Sequence, residues 1–350
     1  MDNLYRKTNQ QYWPLIDIAK LFCAFLVVMI HCLEIKQGHP VATFIVQCFS
    51  GQAVPFFMIV SGFFAANKID QEKSIQGMIN LCLKKWLLPY FAWTVLWLPY
   101  YIKFYQGKYP NATIGYIFVA LMRRILCAGQ GVYWYLLVLA ESVFIVFILV
   151  RCNKEKLLYA IGIIGLIGGI LYDANVTVLG MGYINRIVYI VFSWSNNFLM
   201  RGIPYVAMGY FFRKNINCLY TNIWKLVCIY FISSACMIIL YISAKYQLLC
   251  FYPIQAVSLF MLVYQPTHNN INRSLCRICR EMSSAIYFLH TVFIYGIIDV
   301  VWGVDAFIPL KFCVAVFLSI CVYAVARKFE IKPVKWLLGN KGVCCIVNFQ

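Results

Sequence analysis

Stretches of about 18 or more mostly apolar residues, long enough for a helix to cross a hydrocarbon layer of about 30 Å, recur from one end of this chain to the other. Backbone that crosses lipid must satisfy its own hydrogen bonds, so these stretches must be helices or strands of a closed barrel. Their length and continuous apolarity select helices, because barrel strands would be about 10 residues long and alternate polar with apolar. Ten spans are expected, at 13–33, 41–65, 86–105, 132–150, 157–172, 197–212, 223–243, 248–264, 284–303 and 306–326. The predicted fold is therefore all-α, a polytopic membrane bundle of about ten helices forming a single domain over residues 1–350, with its core at about 12–326 and short terminal tails. Segments 112–128, ending in Arg123 and Arg124, and 183–195, interrupted by Arg186, are assigned to the outer side as interfacial or re-entrant pieces. The first run lacks a small-residue cleavage site and reads as a retained helix, not a signal peptide.

The composition fits a lipid-embedded chain: 63% of residues are hydrophobic and 12% charged, and mean hydropathy is +0.76. A formal charge of +18 raises the question of nucleic acid, but no reader motif or aromatic-interleaved basic patch accompanies it, and no nucleic-acid partner is expected. Two thirds of the 30 Lys and Arg residues fall on one set of alternate loops, as the positive-inside rule requires if both termini are cytoplasmic and the protein sits in the cytoplasmic membrane. Sixteen cysteines lie mostly in apolar stretches, where a thiol behaves as a small hydrophobe. Cys276 and Cys279 form a lone CxxC, with Cys344 and Cys345 far downstream, and no metal is expected.

The first span, "IDIAKLFCAFLVVMIHC" at 16–32, is unusual in carrying ionisable groups. Eleven residues of helix turn through about 1100° and rise about 16 Å, so Lys20 and His31 share a face. Asp17, Lys20, Ala24, Val27, His31 and Glu34 follow one i, i+3, i+4 stripe. A charge facing lipid costs at least about 2.5 kcal/mol, so this stripe is expected to face protein or water. With the helix starting near Trp13, Lys20 lies about 10 Å in and His31 about 27 Å in, bracketing a path through the membrane. A plainer alternative makes Asp17 and Lys20 an i, i+3 pair at the inner interface and His31 an outer headgroup residue. Further polar groups stand in or beside other spans: Glu141 in the fourth, Arg201 at the start of the sixth beside Gly202 and Pro204, and His290 in the ninth. Each has a structural alternative, as a cavity-facing or protonated acid, an interfacial anchor and a helix-packing histidine respectively.

"WPLIDIAKLFCAFLVVMIH" resembles the opening of the membrane-bound acyltransferase 3 family, in which a basic residue, ten intervening residues and a histidine mark the first helix. "FFMIVSGFF" (56–64), "LKKWLLPYFAW" (83–93), "YWYLLVL" (133–139), "RGIPYVAMGYFF" (201–212) and "SSAIYFLHTVF" (283–293) are similar to further family segments, in the family's order, over about residues 12–326. Lys20 stands where Arg is usual, Lys84 and Lys85 replace a commoner arginine pair, and Val132 stands where many members have His, which weakens transfer of donor-binding detail. The appended hydrolase-like domain that some members use to complete the transfer is not expected here, which leaves the chemistry to the bundle or to a partner.

The resemblance implies transfer of an acyl group, acetyl first among them, from cytoplasmic acyl-CoA to a hydroxyl of a polysaccharide, lipid-linked sugar or other envelope acceptor. It implies His31 as general base, an imidazole having an ordinary pKa near 6.5, with Glu34 orienting the ring or serving only at the interface, and Glu141 as a further catalytic candidate. Asp17, Lys20, Lys84 and Lys85 would receive the donor's phosphates, and Arg201 and His290 would serve the acceptor or the developing oxyanion. Acyl-CoA is a substrate, and no metal is implied. Direct transfer is favoured over an acyl-imidazole, and a homo-oligomer is left open. The rival from another class is a transporter or flippase for a small polar molecule or lipid-linked glycan, since intramembrane Lys, His and Glu also build ion-coupled pathways.

Overall fold

A computed structural model describes residues 13–33, 48–127, 129, 131–174, 196–215, 222–244, 250–264, 271–302 and 307–338. All regular structure among them is helical. The principal helices are α1 (Pro14–Leu33), α2 (Ala53–Gln71), α3 (Ile75–Cys82), α4 (Leu88–Leu96), α5 (Leu98–Lys108), α6 (Ile114–Cys127), α7 (Trp134–Arg151) and α8 (Glu155–Ala174). They continue with α9 (Ile203–Lys214), α10 (Ile223–Ala244), α11 (Phe251–Tyr264), α12 (Arg273–Phe293), α13 (Ile308–Lys328) and α14 (Lys332–Leu337).

Six helical stretches among the described residues are long and apolar enough to cross a membrane: Pro14–Cys32, Ser50–Gln71, Ile114–Arg151, Glu155–Tyr172, Arg273–Val301 and Ile308–Lys328. The chain is thus an all-α, multi-pass membrane bundle. Of the other four expected spans, the third and sixth are interrupted, for local reasons. A π turn at Leu83–Leu87, Pro89 and Pro99 divide the third into pieces, because proline cannot donate to the preceding turn. A π turn at Phe198–Gly202 precedes Pro204 and shortens the sixth to α9. The seventh corresponds to the 22-residue apolar helix α10 (Ile223–Ala244) and the eighth to α11 (Phe251–Tyr264). Segment 112–128, expected to be interfacial, is helix α6 packed on α5, and 183–195 lies outside the described residues. Within the stretch Ile114–Arg151, α6 and α7 are separated at Gly129 (φ +73°) and Gly131 (φ +55°), a left-handed backbone that favours glycine.

The centre of the bundle is α2 packed on α9, with α1 against α12. Gly62 and Gly209 let the first pair approach backbone to backbone. A Cβ at Gly62 would strike the carbonyl oxygen of Val206, and one at Gly209 the carbonyl oxygen of Ile59. Close small-residue contacts of this kind substitute for hydrophobic drive inside lipid.

Several basic residues gather at one end of the bundle. Trp13 packs edge-on against Phe63 (5.1 Å between ring centroids), and the Arg213 guanidinium lies 5.0 Å over the Trp13 ring. Nearby, Lys214 pairs with Asp70 at 3.2 Å, and Tyr210 donates to Asp70 at 3.0 Å. On the neighbouring helices Tyr323 donates to Glu281 at 2.8 Å and receives a bond from Arg327 at 3.0 Å. The opposite end is aromatic and holds the candidate site.

Candidate active site

Helix α1 turns its ionisable stripe inward. Asp17, Lys20, Ala24 and Val27 are buried and His31 is half-buried, whereas Ile18 and Phe22 on the other face are exposed. Lys20 is fully enclosed. Its ammonium lies 3.4 Å from the Asp17 carboxylate and 5.0 Å over the Phe64 ring, and its backbone carbonyl accepts from Ser283 Oγ at 3.0 Å. A buried cation persists when a carboxylate and an aromatic face replace its water, and both are supplied here.

Some three turns along the same face, two of the chain's four histidines meet. The His31 and His290 rings lie 5.2 Å apart, tilted by 38°. Nδ1 of His290 is 2.9 Å from the carbonyl oxygen of Ile286 on the preceding turn of α12. A carbonyl only accepts, so Nδ1 of His290 carries the proton, and in the neutral ring Nε2 is the basic nitrogen. Nδ1 of His31 is 3.3 Å from the hydroxyl of Tyr295.

Tyr295 lies within a π turn, Ile294–Ile298, that interrupts the end of α12. An unbroken α-helix would set positions 290 and 295 about 140° apart, and the wider turn alters that register. Just beyond it, Asp299 forms a buried ion pair with Lys311 of α13, which ties the far side of the turn to the next helix.

The start of α7 closes the site from the other side. Tyr133 donates its hydroxyl to the carbonyl of Phe288 at 3.1 Å and accepts from Trp97 Nε1 at 3.1 Å. Tyr287 donates to the carbonyl of Val132 at 2.7 Å. Trp93 stacks on both Tyr133 (5.3 Å) and Phe288 (5.7 Å). These bonds join the segments 133–139 and 283–293 into one rigid wall.

Between α1, α5, α6, α7 and the end of α12 lies a cavity of 490 Å³, within the range of small-molecule sites. His31, Tyr295, Thr291, Tyr133, Asn196 and Arg124 supply its polar lining, and Trp97, Tyr100, Tyr101, Phe104 and Trp134 its aromatic walls. A hydroxyl-bearing molecule in this space would meet an imidazole, phenols and a guanidinium together.

The other expected site residues fall elsewhere. Glu34 lies outside the described residues. Glu141 is midway along α7 with Oε2 buried and no hydrogen-bond partner among the described residues, and it does not line the cavity. Lys84 is exposed in the π turn before α4, while Lys85 is buried with its ammonium 5.0 Å over the Trp86 ring. Neither these lysines nor Asp17 and Lys20 line the cavity at His31. Arg201 is half-buried in the π turn after Asn197, whose side chain caps that turn by accepting from Leu199 and Met200 at 3.0 Å. Of the expected residues, the structure brings His31 against His290 and Lys20 against Asp17, and His31 lines the cavity.

Sequence reasoning missed Tyr295, Tyr133 and Arg124. Tyr295 depends on a π turn that periodicity does not reveal, and Arg124 belonged to a segment assigned to the interface. Tyr133 sits in a recognised segment, and its juxtaposition with Trp97 was the missing information. Among the described residues, no group of three or more His, Cys, Asp or Glu side chains is placed to hold a metal.

A family model described as an acyltransferase domain matches residues 13–327, nearly the whole chain. No curated protein and no solved structure matches.

Proposed function

The chain belongs to the acyltransferase 3 family, and from that premise we propose that it transfers an acetyl or similar acyl group from acyl-CoA to a hydroxyl of an envelope glycan or lipid-linked sugar. The observation that carries the site assignment is the His31 ring set against His290 in the wall of an aromatic cavity. In this reading the basic end of the bundle is cytoplasmic, both termini lie there, the ten apolar segments all cross the cytoplasmic membrane, and the aromatic end faces outward. The positive-inside bias of Lys and Arg supports that orientation.

The acceptor hydroxyl enters the cavity and gives its proton to Nε2 of His31 while its oxygen attacks the thioester carbonyl. The new C–O bond forms, the C–S bond breaks, and the proton passes on to the departing CoA sulfur. For Nε2 to serve as base, Nδ1 must hold the ring's proton and donate it to the Tyr295 hydroxyl, 3.3 Å away. His290, fixed through Ile286, packs against the ring and limits its rotation. Positioned general-base catalysis of this kind contributes about 10²- to 10⁴-fold. Glu34, three residues after His31 in sequence, and Arg201, five residues after the cavity's Asn196, are secondary candidates for orienting the base and the acceptor.

Coenzyme A carries several phosphates, and the donor path is assigned to the basic end, where Lys20, Lys84 and Lys85 are the family-matched cations. The enclosure of Lys20 with Asp17 means that donor entry requires α1 to separate from the Phe64 end of α2 or from Ser283 of α12.

The experiment is mass spectrometry of envelope glycans from cells carrying the wild-type chain, the His31→Ala variant or neither. Acyl-modified sugar should appear only with the wild type. Wild-type levels of acylation with His31→Ala would refute the assignment.

A further inference from the structure

We infer that the acceptor is an anionic sugar, its ring held by the aromatic walls of the His31 cavity and its carboxylate or phosphate held by Arg124. This inference rests on the acyl-transfer reading for the role of His31, and it adds the class of acceptor.

The cavity's shape favours a pyranose. Trp97 stands edge-on to Tyr100 at 5.2 Å and lies nearly parallel to Tyr101 at 6.4 Å. The Trp97 indole is itself fixed by its bond to Tyr133. A sugar has an apolar C–H face that packs on such a panel, and a rim of hydroxyls that needs donors and acceptors. Asn196, Thr291 and Tyr133 line the same space and supply them.

Charge then narrows the class. Arg124 is the one permanently charged side chain among the described residues of the lining, which include no Asp or Glu. It stands half-buried at the end of the amphipathic helix α6, beside the aromatic wall. A guanidinium has five donors in a planar fork that matches the oxygens of carboxylate or phosphate, so a bond elsewhere on the fork leaves donors for a ligand. With no acidic side chain among the described residues of the lining, that charge favours an anionic ligand over a neutral one.

Binding to the full chain in phosphatidylcholine nanodiscs, read by saturation-transfer NMR, tests this directly. The probes are methyl β-D-glucuronide, glucose 1-phosphate and methyl β-D-glucoside. At least one anionic sugar should bind about tenfold or more tightly than the neutral glucoside, the size expected for a charge-assisted hydrogen bond. The preference should vanish in Arg124→Gln and survive in part in Arg124→Lys. Which anion binds more tightly distinguishes a ring carboxylate from a phosphate. Should Arg124→Gln fail to fold, the wild-type preference must still shrink as salt is raised.

Equal affinity for charged and neutral sugars in the wild type, or a preference retained in Arg124→Gln, would overturn the inference. Release of free CoA from acetyl-CoA, followed with the same sugars as acceptors, separates the two levels. Equal turnover of neutral and anionic sugars leaves the acyl-transfer reading standing and removes this one. No release of CoA with any acceptor, envelope glycan included, would remove the acyl-transfer reading and this inference with it.

Discussion

Replacing Lys20 by Met should destabilise the bundle strongly, and replacing Asp17 by Asn at the same time should recover most of the loss. The two side chains are 0% and 5% exposed and 3.4 Å apart. At an effective dielectric constant of about 20, charges at that separation attract by about 5 kcal/mol. Removing one partner of a buried pair costs about 3–5 kcal/mol, since the other charge stays behind in a poor solvent. Arg280 lies close enough to act on Lys20, so it will compensate Asp17 in part and bring the cost toward the lower figure. In detergent-solubilised protein, the apparent melting midpoint of Lys20→Met should fall several degrees below that of the Asp17→Asn/Lys20→Met double variant. If the double variant is the better folded and also shows a raised KM for acyl-CoA, the lysine acts on the donor as well as on the fold. A Lys20→Met variant as stable as the double variant would refute the burial of this pair within the protein.

Three other outcomes follow from the geometry. Tyr295→Phe should keep the fold and lower turnover about tenfold through loss of the bond that orients His31, measured as CoA release at saturating donor. Gly62→Val should reduce the yield of folded protein, because its Cβ meets the Val206 backbone and overpacking costs about 1–3 kcal/mol or more, read by size-exclusion profile and melting midpoint. Lys311→Met should lower stability by about 3–5 kcal/mol by stranding Asp299, and should reduce turnover more than an equally destabilising Gly62 variant, because Asp299 borders the π turn that carries Tyr295.

Much of the fold was legible because lipid imposes a simple rule on sequence. Apolar run length located the helices, and the charged stripe on α1 identified its inward face, where Asp17 and Lys20 are buried. What run length does not encode is where a helix is interrupted. Pro89, Pro99 and Pro204 could be seen in the sequence, but the adjoining π turns arise from packing between helices. The contact between His31 and His290 spans positions far apart in the chain, so it became visible only when α1 packed on α12. Arg124 was placed only within an interfacial or re-entrant segment, and its position in the wall of the His31 cavity depends on how α5, α6 and α7 pack.

The role of His31 is tested most directly by measuring release of free CoA from acetyl-CoA by purified wild-type and His31→Ala protein in nanodiscs, with a glycan acceptor present and with melting midpoints taken alongside. Acceptor-dependent release should fall at least about 100-fold in the variant while its melting midpoint stays near that of the wild type. Undiminished release by a folded His31→Ala protein would contradict it.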